Sequence, residues 1–272
     1  MTGILLESVV HEYAGGVRAL DGVWLEIPSG QRVALIGQNG SGKTTLVRHL
    51  NGILRPTEGR VLVDGDDSAG RTVAQLARSV GLVYQNPDRQ IFASSVRAEV
   101  SFGPRNLGLR GERLRAAVDA ALEATELARE ADTNPYDLGR SRRKLLALAS
   151  VLAMGTPVLV VDEPTTGQDE RGIEIVGRNL EAVAGAGRTV IAISHDMRFV
   201  AERFERLVVM RAGRVVLDGA PEQVFAAAAW DTLRSTFVEP PIAAVVGDRL
   251  GLGSTPTDDA LVSALRLRQP LG

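Results

Sequence analysis

Residues Gly37, Gln38, Asn39, Gly40, Ser41, Gly42, Lys43 and Thr44 fit the spacing Gly-x-x-x-x-Gly-Lys-Ser/Thr. Glycines let a backbone curl until successive N–H groups converge on an anion, and a following helix start adds partial positive charge. Lys43 is expected to reach the β and γ oxygens of a nucleotide, the Thr44 hydroxyl to ligate Mg²⁺, and Thr45 to extend the cradle. The bland alternative is a glycine-rich turn with an incidental lysine. Composition argues against it: among 31 Lys and Arg residues only Lys43 and Lys144 are lysines. A compact ammonium stands where a planar guanidinium fits poorly.

Further along, Val158-Leu-Val-Val-Asp162-Glu163 is an apolar run ending in two carboxylates. Asp162 is expected to hold Mg²⁺. Glu163, next in line and pointing the other way along a strand, would polarise the water that attacks a γ-phosphate. A solvated strand end also tolerates Asp-Glu, so the pair gains its meaning from the phosphate loop before it. His195, after Ile191-Ala-Ile-Ser194, would contact the γ-phosphate or orient that water, although a lone histidine is more often a surface or capping residue. Gln85 ends another apolar run just before Asn86-Pro87, where its amide would sense the γ-phosphate and join the metal's surroundings.

These side chains need a scaffold that brings loop ends together. β-rich runs predict strands near 4–10, 23–27, 32–36, 60–63, 80–84, 158–161 and 189–193, with a late hairpin, 207–210 and 215–218, turning at Ala212-Gly213. Helical spacing is clearest over 112–125, where Leu114, Ala117, Val118, Ala121, Leu122 and Thr125 share a face. Other helices are expected over 43–50, 141–154, 171–183 and 197–204. Interleaved strands and helices imply an α/β domain with a parallel sheet. The expected divisions are 1–85, an antiparallel β subdomain and the first part of the nucleotide core; 86–154, a helical subdomain; 155–220, the rest of the core; and 221–272, a helical extension.

A net charge of -2, from 31 basic and 33 acidic residues, gives no electrostatic reason to expect a nucleic-acid partner. Without cysteine the chain has no disulfide or thiolate metal site, which fits a reducing compartment. The first ten residues lack a basic stretch followed by an apolar one, so export is not expected. The most membrane-like stretch, 145–161, is interrupted by Gly155-Thr156-Pro157 and is read as a buried helix followed by a buried strand. Any connection to a membrane must then run through a partner.

Taken together, these motifs resemble those of an ABC ATPase, a P-loop NTPase with a RecA-like core, an antiparallel β subdomain and a helical subdomain. The resemblance covers most of the chain. It implies that Tyr13 stacks on adenine and that Asp162-Glu-Pro-Thr-Thr-Gly-Gln-Asp169 is the Walker B motif with its D-loop at Asp169, Gln168 standing where an apolar residue is usual. It also implies ATP sandwiched between two such subunits, each lending its signature motif to the other's phosphate loop.

Gln85-Asn-Pro-Asp-Arg-Gln-Ile-Phe92, Val100-Ser-Phe-Gly-Pro-Arg-Asn-Leu-Gly108 and Val238-Glu-Pro-Pro241 are similar to the energy-coupling-factor importers and their cobalt or nickel relatives. That likeness implies a transmembrane coupling subunit, a small membrane protein that captures a vitamin or metal ion, and a place on the cytoplasmic face of the cell membrane. Residues 86–107 would receive the coupling helix.

Where the family carries Leu-Ser-Gly-Gly-Gln, this chain reads Leu138-Gly139-Arg140-Ser141-Arg142. Gly139 lacks the serine hydroxyl, and Arg140 is bulky where close approach is needed. Either the arginines supply phosphate contacts, or this signature serves a weakened site. The expectation adopted is the weakened site, in a heterodimer whose second ABC ATPase supplies an intact signature. The alternative function is a soluble or regulatory ABC ATPase that dimerises on ATP without driving transport. Neither a long heptad insertion nor a second cassette is present to support DNA-repair or ribosomal roles.

Overall fold

The structure, a computed structural model, describes residues 3–268; the first two residues of the expected leaderless start and the last four of the expected extension, 269–272, lie outside the described residues. Among the described residues ten strands form two sheets. β1 (Ile4–Tyr13), β2 (Val17–Ile27), β4 (Glu58–Val63) and β5 (Asp66–Asp67) make an antiparallel sheet in the order β2-β1-β4-β5. The second sheet contains β3 (Arg32–Ile36), β6 (Val80–Val83), β7 (Val158–Asp162), β8 (Thr189–Ile193), β9 (Arg206–Arg211) and β10 (Arg214–Gly219), ordered β10-β9-β3-β8-β7-β6. Only the edge pair β9-β10 is antiparallel; β9, β3, β8, β7 and β6 run parallel.

The second sheet explains why its strands read as unbroken apolar runs. Successive side chains leave a strand on opposite faces. Val33, Leu35, Val158, Val160, Ile191 and Ile193 therefore pack into one core with β1, β2 and β4. Their neighbours Ala34, Ile36, Leu159, Val161, Val190 and Ala192 enter a second core built with helices. A parallel sheet covered on both faces has no polar side to offer.

The helices are α1 (Lys43–Leu50), α2 (Val73–Leu76), α3 (Val96–Asn106), α4 (Gly111–Ala124), α5 (Arg140–Leu152), α6 (Glu170–Gly185) and α7 (Met197–Arg203), followed by α8 (Pro221–Val224), α9 (Trp230–Arg234), α10 (Ile242–Arg249) and α11 (Asp258–Arg268). No strand occurs between residues 84 and 157, as expected from the helical patterning there. α4 buries Val118, Ala121 and Leu122 with Leu114 packed beside them, the face expected from its periodicity. The hairpin at Ala212-Gly213 turns through φ values of 47° and 76°, the paired positive dihedrals of a type I′ turn.

Two expectations need correction. β2 begins at Val17, not near 23, because its first half pairs with β1 through register shifts that break the alternation used to recognise it. β6 ends at Val83, one residue early, and Tyr84 instead donates its N–H to the Gln90 side chain, 3.1 Å away. No helix of the described residues is long and apolar enough to cross a membrane.

Candidate functional site

Four neighbouring parallel strands, β3, β8, β7 and β6, end at the same sheet edge. The chain leaves β3 through Gly37 to Gly42, β8 through His195, β7 through Asp162 and Glu163, and β6 through Gln85. In open α/β sheets ligands bind at this carboxyl edge. A cavity of about 140 Å³ there is lined by Asn39, Gly40, Lys43, Thr44, Gln85, Asp162, Glu163 and His195 among others. Sequence separation vanishes because adjacent strands deliver each group to one place.

Local packing fixes the loop. Gly37 has φ 136°, and a Cβ there would fall 2.2 Å from the Met210 carbonyl oxygen on β9. Gly42, with φ 105°, would put a Cβ 2.5 Å from the Ala19 carbonyl oxygen on β2. The hairpin turn braces the loop from below, Gly213 donating to the Ser41 carbonyl at 3.0 Å. Ser41 is fully buried, whereas Asn39 and Gly40 are exposed at the mouth.

Lys43 is buried, and its ammonium donates to the carbonyls of Gly37 at 2.6 Å and Gln38 at 2.8 Å and to Ser41 Oγ at 3.3 Å. Burial pushes its pKa down, while the nearby Glu163 and Asp162 pull it back up. Tyr13 closes β1, 37% exposed, with its hydroxyl 3.0 Å from Thr45 Oγ1, so its ring stands beside the first turn of α1.

Asp162 is buried, and Thr44 Oγ1 donates to its Oδ2 over 3.3 Å. Burial first, and then the Glu163 charge, raise its pKa. A buried carboxylate beside a hydroxyl and the Gln85 amide is an all-oxygen set of the kind Mg²⁺ takes with one or two protein ligands and several waters. Thr44, Asp162 and Gln85 therefore fit that cation.

Glu163 corrects the expectation that it points away from Asp162. The strand ends at Asp162, and Glu163 takes φ 54°, turning its side chain into the same cavity. A non-glycine residue held in the left-handed region is strained and persists only where its surroundings over-determine it. Here the Glu163 N–H donates to the Ile193 carbonyl at 2.8 Å, and Thr166 Oγ1 donates to Oε2 at 3.2 Å. His195 Nε2 lies 3.0 Å from the buried Oε1. Burial raises the Glu163 pKa, opposed by Thr166, His195, Lys43 and Lys144, and burial lowers that of His195. A carboxylate that lines the cavity and whose pKa burial raises is equipped to accept a proton.

Residues the motif reading passed over also converge. Lys144, buried on α5, donates to the Glu163 carbonyl at 2.7 Å. Its signal was available in the chain's scarcity of lysine. Thr166 lies within the quoted Asp162 to Asp169 run, but nothing in its spacing marks it.

The signature run does not join this cavity. Gly139 caps α5 without a side-chain hydrogen bond, and Arg140 is exposed. Ser141 Oγ donates to Gln168 Oε1 at 2.6 Å, and Gln168 Nε2 returns a bond to the Ser141 carbonyl at 3.1 Å. Arg142 is engaged by Glu130 and the Glu126 carbonyl, and Arg143 by Asp88 at 3.0 Å. Asp169, the expected D-loop residue, caps α6 by accepting from Gly172 N at 2.8 Å.

On another face, an apolar groove of about 440 Å³ is lined by Ile53, Val73, Tyr84, Phe92, Phe102 and Met154 among others. The Phe92 and Phe102 rings meet edge to face at 4.7 Å, 58% and 49% exposed. The groove thus uses residues 86–107 together with side chains from outside that segment.

The profile of the ABC transporter family matches residues 20–166. The energy-coupling factor transporter ATP-binding protein EcfA2 of Symbiobacterium thermophilum is 40% identical over 97% of this chain and 95% of its own. Putative ABC transporter ATP-binding proteins of Methanosarcina acetivorans and Methanosarcina mazei are 45% and 42% identical, and the chain spans only 36% and 38% of their lengths. Among solved structures, cbiO1 of Clostridium perfringens, described as part of the ABC transporter complex cbiONQ, superposes with a TM-score of 0.74 at 36% identity, covering 85% of this chain and 93% of that one. An ATP-binding cassette solved as a dimer bound to ADP and Pi gives 0.74 at 26% identity, over 80% and 98% of the two chains.

Proposed function

The chain belongs to the ABC transporter ATP-binding family, and on that premise we propose that it binds and hydrolyses ATP to drive solute import through membrane partner subunits of the energy-coupling-factor type. The observation that carries the reading is the convergence of Lys43, Thr44, Gln85, Asp162, Glu163 and His195 on one cavity. The loop amides and Lys43 bind the phosphates, Tyr13 takes the adenine, and Thr44, Asp162 and Gln85 hold Mg²⁺. Mg²⁺ held there would supply positive charge to offset that of the phosphates. Glu163 accepts the proton of the attacking water, and neutral His195 orients that water or the γ-phosphate.

Support for membrane partners comes from the names of EcfA2 and of the cbiONQ complex, and from the exposed Phe92-Phe102 groove, which suits the apolar face of a partner helix. The cargo, a vitamin or a transition-metal ion, would be chosen by another polypeptide. A second ATPase would complete the pair. Ser141 and Arg142 are engaged within the chain, and Gly139 has no hydroxyl, which favours a weakened signature paired with an intact one.

Glu163→Gln tests the reading. MgATP affinity should be retained while phosphate release falls at least about 100-fold, as expected when a positioned base is lost. Turnover at the original rate would remove Glu163 from this role.

A further inference from the structure

We propose that Lys144 is a positioning residue for Glu163: its ammonium, reaching from α5 to the Glu163 carbonyl, holds the left-handed turn that aims the carboxylate into the phosphate cavity. This rests on the reading of Glu163 as the base. Lys144 is 7% exposed and makes its 2.7 Å hydrogen bond from inside the protein. Burying an ammonium is costly unless it is paired, and a hydrophobic residue of similar length would fill the same space more cheaply. The compensation here is specific. The acceptor is the main-chain oxygen of the one residue at this sheet edge that combines a cavity-lining carboxylate with a positive φ. Glu163 and Asp162 also stabilise the charged form against desolvation.

The remaining restraints leave the carbonyl to Lys144. The Glu163 N–H is fixed by Ile193, and its carboxylate is touched by Thr166 and His195. The seat of Lys144 is itself anchored, because Ser141, one turn earlier on α5, exchanges two hydrogen bonds with Gln168 beyond Glu163. Gln168 is wedged in turn, since a Cβ on Gly172 would lie 2.1 Å from its Oε1. The first turns of α5 thus clasp residues 163–168 at two points.

The test compares the full chain, in whatever complex it co-purifies with, carrying Lys144→Met or Lys144→Gln, alone and combined with Glu163→Gln. Lys144→Met removes the donor and keeps an unbranched apolar stem one atom shorter. It should lower kcat by about 10- to 100-fold while the Kd for MgATP stays within about twofold, and Lys144→Gln, which keeps an N–H donor, should recover most of the loss. In the Glu163→Gln background Lys144→Met should cost nothing further, because a residue acting through Glu163 has nothing left to position. A Lys144→Met kcat within twofold of the parent, an undiminished loss in the Glu163→Gln background, or a weakened Kd accompanying the loss would overturn the proposal. If Lys144→Met does not fold, Lys144→Leu, which also removes the donor, takes its place, with the same expected loss and the same overturning results. Wild-type turnover by Glu163→Gln alone would instead sink the base assignment.

Discussion

α1 and α5 begin alike and end in different chemistry. Each starts after a glycine that offers no side-chain cap, and each buries a lysine near its start that donates to main-chain carbonyls. At α1 the preceding glycine is left-handed and jammed against Ala19, and the amides open onto the cavity. At α5 Gly139 has φ -61° and open space where a Cβ would stand, and the helix start carries Arg140, Arg142 and Arg143. Acidic partners, Glu130 and Asp88, already occupy two of these arginines. The two helix starts share a dipole but not its surroundings: at α1 the amides line a cavity, and at α5 arginines crowd them.

The largest expected effect separates the two lysine-bearing turns by ligand binding. Lys43→Met should weaken MgATP affinity by about 100-fold, a charge-assisted hydrogen bond being worth roughly 2–3 kcal/mol, whereas Arg142→Met should leave it unchanged in the isolated chain. Calorimetric titration of both proteins measures this, and equal losses would erase the distinction. Next come the glycines. Gly42→Ala should destabilise the fold by about 2–4 kcal/mol through a forbidden φ and a backbone clash. Gly139→Ser should add a few tenths of a kcal/mol as an improved cap. Denaturant midpoints compare them, and similar values would show that the Gly42 contact is easily relieved.

The smallest effect concerns the footing of α1. His49 is fully buried, with Nδ1 2.7 Å from the Thr45 carbonyl and Nε2 3.2 Å from His11 Nδ1. Burial holds its pKa below the ordinary value of 6.5. The native state thus takes up a proton less readily than the unfolded chain, so stability present above pH 6.5 is lost as pH falls through the lowered value. The denaturant midpoint should be lower at pH 5.5 than at 7.5, with a smaller difference in His49→Gln. A flat profile would mean that the pair accommodates a proton without cost.

Much of the site was legible because its chemistry is written in contiguous residues. Gly37 to Thr44 and Val158 to Glu163 each carry their own structural context, a strand before a loop, and the alternation of two cores explains the apolar runs around them. Glu163 was legible as a residue but not as a direction, because its positive φ goes with main-chain bonds to Ile193 on β8 and from Lys144 on α5, two segments distant in sequence. The groove shows the same limit, since Phe92 and Phe102 lie in the expected segment while Ile53, Val73 and Met154 arrive from elsewhere.

By itself the sequence determined the glycine-rich loop with Lys43 and Thr44, the Asp162-Glu163 pair, and that both would follow strand ends. Tertiary structure alone decided the arrangement: the order β3-β8-β7-β6 made four distant loops neighbours, and the bond from Lys144 joined the signature-bearing helix to Glu163. The physical reason is range. Local propensity and periodicity specify a strand or a glycine turn within a few residues, but the aim of a buried side chain depends on acceptors and packing supplied from across the fold.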